Sequence, residues 1–363
     1  MNSLFCSAAD LPLLTNTPGI GGRYRNQPED FRVEELPCYA ASGEGEHALL
    51  LVEKRDLTTQ QVVELFSRSL GVPDRDIGVA GRKDRFAVTS QYVTVPARSL
   101  DGLNPEVVHA QLKLDQALQA GESIRIRSVE RHRNKLKTGH LAGNRFEIVV
   151  RSVTSETALE TALETAQQIE ESGFVNYFGE QRFGQSSNTD EDGFRLLRGE
   201  KVRRLSRTAL RFTLSAVQSR LFNLWASSRV RDGLTHQVLV GDVMQVIRSG
   251  GCFTVTEADL AREQDRFENH ETVVTGPLQG PKMKPACGVA AQREQDVLQC
   301  AGLNGQEFAK FRKVAAGARR ACLVRPRDLT VRTQDEEALA FSFSLPPGAY
   351  ATCLLREFLK AES

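Results

Sequence analysis

The 363 residues of this chain include 40% hydrophobic residues, enough to bury a sizeable core and to exclude disorder as the main state. The formal net charge is only +1, which excludes a protein that binds nucleic acid through evenly spread positive charge. No apolar run reaches the ~18 residues of a membrane span, and the amino terminus lacks the layout of a secretory signal, so we expect a cytoplasmic protein.

The first half of the chain predicts strands with helices inserted among them. Segments rich in β-branched, aliphatic or aromatic residues predict strands at 28–35, 47–54, 91–97, 123–130 and 145–153. A helix is predicted from Thr59 to Leu70, because its apolar residues recur at helical spacing and Gly71 can cap its end. A second helix follows the last strand, with Ser155 as its cap and Gly173 at its end. This irregular order indicates an α+β fold and not a doubly wound sheet.

After Gly173 the composition changes, which indicates a second domain. A helix is predicted from Leu214 to Val230, and the glycines and prolines between Gly276 and Pro285 are typical of a loop. Residues 341–360 offer one strand and one short helix, too little to fold alone, so we expect them to return to the first domain. The predicted organisation is a first domain of residues 1–170 and 320–363, with an inserted domain of residues 171–319.

Basic residues are concentrated in three runs, although the net charge is small. The runs are 125–145, 195–211 and 310–327. Local basic faces on a nearly neutral protein suit reversible contact with phosphates. The alternative is that each run is an ordinary solvated surface.

Cysteine and histidine spacing predicts neither disulfides nor a metal site. The seven cysteines are odd in number, scattered and nowhere arranged as CxxC, so they are expected to be reduced thiols. The six histidines form no HxH or HExxH pattern, and the sequence has no P-loop or GxGxxG signature. We therefore expect a mechanism without a metal or a bound cofactor.

One carboxylate stands in a setting that suits catalysis. Asp84 lies between Lys83 and Arg85 in a glycine-containing segment, 78–91, that leads into a predicted strand. The two cations favour the ionised carboxylate, which suits a nucleophile or a general base. The alternative is that this KDR triplet is an ordinary surface turn.

Three further segments are candidates for a nucleic-acid site. In residues 131–146, basic side chains could hold phosphates while Phe146 stacks on a base and Asn144 bonds a base edge. The alternative there is a basic hairpin with Phe146 in the core. Residues 176–185 combine three aromatics and two glycines, which suits either stacking or a tight aromatic loop. Residues 28–35 carry four acidic side chains, and the alternative is an ordinary edge strand.

In this order, the segments resemble the signature motifs of the TruD family of tRNA pseudouridine synthases. The matching motifs are DFxVxE at 30–35, GEGEH at 43–47, AGxKDRxAVTxQ at 80–91, RHxxKLxxGxLxGNxF at 131–146, GxxNYFGxQRFG at 173–184, SAxxSxLFN at 215–223 and LPxGxYATxLLRE at 345–357. Each motif alone is weak. Because they are spread over nearly the whole chain, together they are specific.

The resemblance implies a catalytic domain of the pseudouridine synthase fold, with a mixed, mostly antiparallel sheet. Residues 1–170 and 320–363 would form this domain, and residues 171–319 would form a family-specific α/β insertion domain that faces it across a cleft. The substrate tRNA would lie in that cleft, between residues from 131 to 145 and arginines from 195 to 211. We expect a monomer with no obligatory protein partner and no membrane association.

The same resemblance assigns roles to individual residues. Asp84 matches the essential aspartate, and Phe146 matches the aromatic that packs on the target base. Arg25 stands where the family often has a lysine placed to pair with the aspartate. Arginine can pair a carboxylate bidentately, but the two cations are not interchangeable. The other predicted substrate-binding residues are Phe31, Glu35, Lys83 and Asn144.

The implied reaction isomerises uridine to pseudouridine in tRNA, at position 13 of the D arm, after the base has been flipped out of its stack. Whether Asp84 attacks C1′, attacks C6 or serves as a base stays open at this point. The alternative is a non-catalytic RNA-binding protein, in which Asp84 would be dispensable. A methyltransferase or a nuclease would need a glycine-rich cofactor loop or a metal-binding carboxylate cluster, which the sequence lacks.

Overall fold

The structure is a computed structural model that describes residues 10–114, 118–153, 157–183 and 189–360. The predicted helix cap Ser155 lies outside these residues. The strands are β1 (Gly21–Tyr24), β2 (Phe31–Pro37), β3 (His47–Arg55), β4 (Gly78–Val79), β5 (Val88–Pro96), β6 (Ser123–His132), β7 (Leu141–Val153), β8 (Phe174–Val175), β9 (Val243–Val246), β10 (Cys252–Thr254), β11 (Thr272–Leu278), β12 (Ala318–Ala321), β13 (Leu323–Val324), β14 (Arg327–Asp335) and β15 (Ala338–Leu345). The helices are α1 (Thr59–Leu70), α2 (Pro105–Gln111), α3 (Ala158–Ser172), α4 (Thr189–Leu197), α5 (Arg207–Arg231), α6 (Leu260–Glu268), α7 (Gly288–Cys300) and α8 (Ala351–Leu359).

By their mutual contacts, the described residues fall into two units. Residues 18–167 and 326–348 form one, here called the sheet unit, and residues 10–17, 168–325 and 349–360 form the other, here called the helix-rich unit. The end of the chain contributes to both, because β15 belongs to the sheet unit while α8 packs on β8 in the helix-rich unit. Residues 341–360 therefore do not all return to one domain. The functional assignment of the predicted domains stays a prediction.

A nine-stranded sheet is the core of the sheet unit. Its strands follow the order β14-β15-β7-β2-β5-β3-β6, with β1 paired to β7 and β4 paired to β5. The β2–β5 pair is parallel, and the other pairs are antiparallel. The predicted α+β fold with a mixed, mostly antiparallel sheet is confirmed.

Local sequence explains why α1 lies where it was predicted. Thr58 begins the helix by accepting a hydrogen bond from the Gln61 amide, and Gly71 ends it at φ 65, in the left-handed region that favours glycine. The buried side of α1, including Phe66, packs in one core cluster with Leu50 of β3. The helix therefore stabilises the strand that precedes it in the chain.

Helix α5 is central to the helix-rich unit. It begins at Arg207, earlier than the predicted Leu214, because Ser206 accepts a hydrogen bond from the Ala209 amide and caps the helix there. Its apolar side packs with α4 and α7, and it also contacts β11 of a four-stranded sheet ordered β10-β9-β11-β12.

The predicted loop between Gly276 and Pro285 is wrong at its start. Gly276 and Pro277 lie in β11, where both pair with β12. A Cβ on Gly276 would meet the Trp225 ring at 2.3 Å, so glycine allows β11 to pass close to α5. The glycine serves close packing and not a turn.

Of the two alternatives for this segment, stacking or a tight aromatic loop, residues 176–183 form the tight aromatic loop. Tyr177, Phe178 and Phe183 are all buried. The side-chain amide of Asn223 accepts a hydrogen bond from the Phe178 N–H at 2.8 Å and donates one to the Phe178 carbonyl at 2.9 Å. Helix α5 thereby fixes the loop from one side, which explains why an asparagine stands at this point of the helix.

The basic run at 310–327 is not a continuous surface. Arg319 is paired with Glu294 at 2.6 Å, and only 2% of its side chain is exposed. The guanidinium of Arg320 lies 3.9 Å from the centroid of the Phe178 ring, and burial lowers the pKa of Arg320 to about 10. These two arginines belong to the interior of the helix-rich unit.

Candidate active site

Asp84 lies in the loop between β4 and β5 and forms an ion pair with Arg25. The Asp84 side chain is 37% exposed, so the carboxylate is held by a cation and still reaches solvent. Arg25 has a left-handed backbone with φ 66, an uncommon conformation for a residue other than glycine. Its guanidinium also lies 4.1 Å from the centroid of the Phe31 ring. The aromatic ring and the carboxylate together fix the position of the arginine.

The other two cations considered as partners of Asp84 have different partners. Arg85 contacts Asp56 at 3.4 Å and Glu122 at 3.9 Å, and its side chain is largely exposed. Lys83 is directed to the interior of the sheet unit. Among the described residues, the cation paired with Asp84 is therefore Arg25.

Lys83 is the centre of a buried polar cluster beside Asp84. Its Nζ lies 2.6 Å from Glu35 Oε2 and donates to Asn144 Oδ1 at 2.9 Å. The other oxygen of Glu35 accepts a hydrogen bond from the Tyr92 amide at 3.2 Å. The register of β2 and β7 places Glu35 directly opposite Asn144, which is why one lysine reaches both.

Phe146 contacts two other phenylalanines of the sheet unit. Its ring centroid lies 5.3 Å from that of Phe343 in a stacked arrangement and 6.2 Å from that of Phe31 in an edge arrangement. Phe146 is only 7% exposed, so most of its surface is packed in the core, as the alternative interpretation of this segment expected. Phe31 also contacts Arg25, so Phe146 is linked to the Asp84 pair through the Phe31 ring. A stacking role for Phe146 stays a prediction.

The structure therefore brings all seven predicted site residues together within the sheet unit. They form two groups that meet at the adjacent residues 83 and 84, one around the aspartate and one around the buried lysine. The groups are Asp84, Arg25, Phe31 and Phe146 on one side and Lys83, Glu35 and Asn144 on the other.

One residue of this site was missed from the sequence. Lys54, on β3, is fully buried, and its Nζ donates a hydrogen bond to the main-chain carbonyl of Asp84 at 2.8 Å. Burial lowers the pKa of Lys54 to about 8, although the charge of Asp84 acts in the opposite direction. The available signal was the alternation of β3, in which Lys54 falls on the same side of the strand as the apolar residues Leu50 and Val52.

Two further observations concern the described part of the chain. It contains no group of three or more histidine, cysteine or acidic side chains arranged to hold a metal ion. None of its helices is both long and apolar enough to span a membrane.

Known proteins resemble this chain over nearly its whole length. The sequence model of the family described as tRNA pseudouridine synthase D (TruD) matches residues 11–203 and 200–358. A tRNA pseudouridine synthase D from Anaeromyxobacter sp. is 40% identical over 358 residues, which cover 97% of each chain. One from Thermus thermophilus is 39% identical over 353 residues, which cover 97% of this chain and 93% of the relative. The solved structure of a putative tRNA pseudouridine synthase D from Methanosarcina mazei matches with a TM-score of 0.74 at 23% identity, covering 96% of this chain and 95% of that one.

The fold and the sequence matches define a pseudouridine synthase, which is an isomerase. The chain belongs to the tRNA pseudouridine synthase D (TruD) family.

Proposed function

We propose that this enzyme isomerises uridine to pseudouridine in tRNA, at position 13 of the D arm, with Asp84 as the catalytic carboxylate. The ion pair between Asp84 and Arg25 carries the proposal. It holds a partly exposed carboxylate in place before any substrate arrives, and the paired arginine lies against the Phe31 ring, which contacts Phe146. The relatives named as tRNA pseudouridine synthases support the choice of substrate.

The reaction rearranges one nucleotide without a net change in composition. The bond from N1 to C1′ breaks, the uracil turns, C5 bonds to C1′, and the proton lost from C5 is balanced by one gained at N1. No electron donor or second substrate is needed. Asp84 assists either as a nucleophile or as a base, and Arg25 keeps the carboxylate in position.

We further propose that Asn144 recognises the uracil edge. Its Oδ1 accepts a hydrogen bond from Lys83, which assigns the orientation of the amide and leaves the Nδ2 group as the free donor. A donor suits the carbonyl oxygens of uracil, whereas cytosine presents an amino group where uracil has O4. The buried Glu35 supports this arrangement by holding Lys83.

We assign the catalytic role to the sheet unit, which contains all these residues, and an RNA-binding role to exposed arginines in both basic runs at 125–145 and 195–211. The cysteines among the described residues are free thiols, which supports a cytoplasmic location. We expect the enzyme to act as a monomer and without an added cofactor.

The direct test is incubation of the purified chain with an unmodified tRNA transcript and no cofactor. We expect one pseudouridine per tRNA, located in the D arm, when the product is mapped by carbodiimide labelling and primer extension. A transcript with cytidine at position 13 is the matched control and should stay unmodified. Absence of pseudouridine in the first transcript would contradict the proposed activity, and modification at another uridine would contradict the proposed position.

Phe146→Leu is expected to lower kcat/KM by about 5- to 150-fold, because stacking on a base is worth about 1 to 3 kcal/mol. Leucine fills most of the space that Phe146 occupies between Phe31 and Phe343, so the fold should survive. Steady-state kinetics on the tRNA transcript would measure the effect. Phe341→Leu, at another buried phenylalanine of the same sheet, is the control and should keep normal kinetics. Equal effects of the two substitutions would show that Phe146 is only a core residue.

A further inference from the structure

Lys54 is a buried cation that no step of the proposed reaction uses. It lies near the end of β3 and is 0% exposed. Its Nζ donates hydrogen bonds to two main-chain carbonyls, those of Leu57 and Asp84, the second at 2.8 Å. One side chain therefore links the turn after β3 to the loop that contains the proposed catalytic carboxylate.

A lysine in this position is costly to keep, because burial disfavours the charged form of an ammonium group. Three charged groups face it: Asp84 and Asp56 attract the charge, and Lys83 repels it. Burial has the largest effect and lowers the pKa of Lys54 to about 8. An uncharged side chain of similar length would fill the same space without the cost of burying a charge. The presence of a lysine here therefore needs an explanation other than packing.

Several other contacts also hold the loop around Asp84. The Lys83 amide donates to Thr59 Oγ1 at 2.9 Å, the Asp56 amide donates to the Ala87 carbonyl at 3.2 Å, and Arg25 holds the carboxylate itself. Of these contacts, the Lys54 bond reaches the main chain of Asp84 directly. Arg25 therefore fixes the carboxylate of Asp84, and Lys54 fixes its main chain.

We propose that Lys54 is a positioning residue of the reaction, which holds the main chain of Asp84 so that the carboxylate meets the flipped nucleotide in a productive geometry. The inference rests on the proposed catalytic role of Asp84. Lys54 contacts no substrate in this scheme. It acts through Asp84, so its loss should affect turnover and not tRNA binding.

The first test compares Lys54→Met with the wild type. We expect kcat to fall by about 10- to 100-fold, the loss that a displacement of about 1 Å can cause, while the Kd for tRNA stays within about threefold. Lys360→Met is the matched control, because Lys360 also donates to a carbonyl, that of Thr15, at 2.8 Å, but in the helix-rich unit. The control should keep the wild-type kcat.

The second test is the pH dependence of kcat, which a purely structural lysine would not change. Below pH 8 Lys54 is charged, and as the pH rises through about 8 the charge and part of the hold on Asp84 are lost, so kcat should fall. Lys54→Arg keeps a charge over this range, so its kcat, although lower from the start, should not fall there. The uracil ring of the substrate also loses a proton at higher pH, and this affects the wild type and Lys54→Arg equally.

The outcomes separate the two proposals. If Asp84→Asn is inactive while Lys54→Met turns over at the wild-type rate, the positioning role is wrong and the catalytic role of Asp84 stands. If Asp84→Asn is active, the proposed catalytic role of Asp84 is wrong, and the positioning role that rests on it is wrong as well. If Lys54→Met does not fold, Lys54→Arg decides: a kcat equal to that of the wild type in this variant would overturn the positioning role.

Discussion

Asp84→Asn is expected to abolish pseudouridine formation. The substitution keeps the size of the side chain but removes the negative charge, and no other carboxylate is paired with Arg25 among the described residues. Affinity for tRNA should stay within about tenfold, roughly 1.4 kcal/mol, because the carboxylate is needed for the reaction and not for binding. Pseudouridine would be measured by mass spectrometry of digested tRNA after many times the wild-type reaction time, and affinity by filter binding.

Asp74→Asn is the control for this substitution. Asp74 is an exposed aspartate of the same unit, so the same change of charge should leave turnover unaffected. Appreciable turnover by Asp84→Asn would contradict the proposed mechanism. If tRNA binding were lost as well, Asp84 would be a binding residue and not the catalytic carboxylate.

Lys83→Met is expected to give the largest loss of stability at the site. It would leave Glu35 as a buried charge without its cation, and breaking a buried ion pair in this way costs about 3 to 5 kcal/mol. The free energy of unfolding of the sheet unit would be measured by urea denaturation. Turnover should fall too, because Asn144 loses the donor that orients its amide.

A second substitution tests whether the buried charge is the cause. In Lys83→Met with Glu35→Gln the charge is gone, while the glutamine oxygen can still accept from the Tyr92 amide, so much of the lost stability should return. Arg133→Met, which breaks an exposed pair with Glu44, should cost less than about 1 kcal/mol. No recovery in the double variant would show that Lys83 stabilises the unit through its contact with Asn144 or through packing.

The elements around the site could be predicted where local rules decide. The bounds of α1 follow from its apolar spacing and from Gly71, and the strands β3 and β6 begin where their patterns begin. Six of the seven site residues came from motifs, and Arg25 came from its position ahead of the DFxVxE motif. The positions of the motif residues on their strands explain why they lie together. For example, Glu35 and Asn144 meet because their strands pair in one register.

Features that depend on distant parts of the chain were not predictable from local sequence. A lysine or an arginine in a strand predicts an exposed side chain. Only the tertiary fold shows that Lys54 is buried and that Arg320 packs on the Phe178 ring. Gly276 was assigned to a loop because the ring that requires a glycine there, that of Trp225, lies far away in the sequence. The end of the chain was assigned to one domain because no local pattern shows that α8 packs on β8.

The stacked partner of Phe146 has a consequence for biosynthesis. Phe343 lies on β15, which the ribosome makes long after β7, and β15 pairs with β7 along eight successive positions from Ala338 to Leu345. Until then β7 has an open edge, and Phe146 lacks the ring that covers it. Nascent chains that end before residue 338 should therefore be inactive and prone to aggregate, so the enzyme can begin to modify RNA only after β15 has been made.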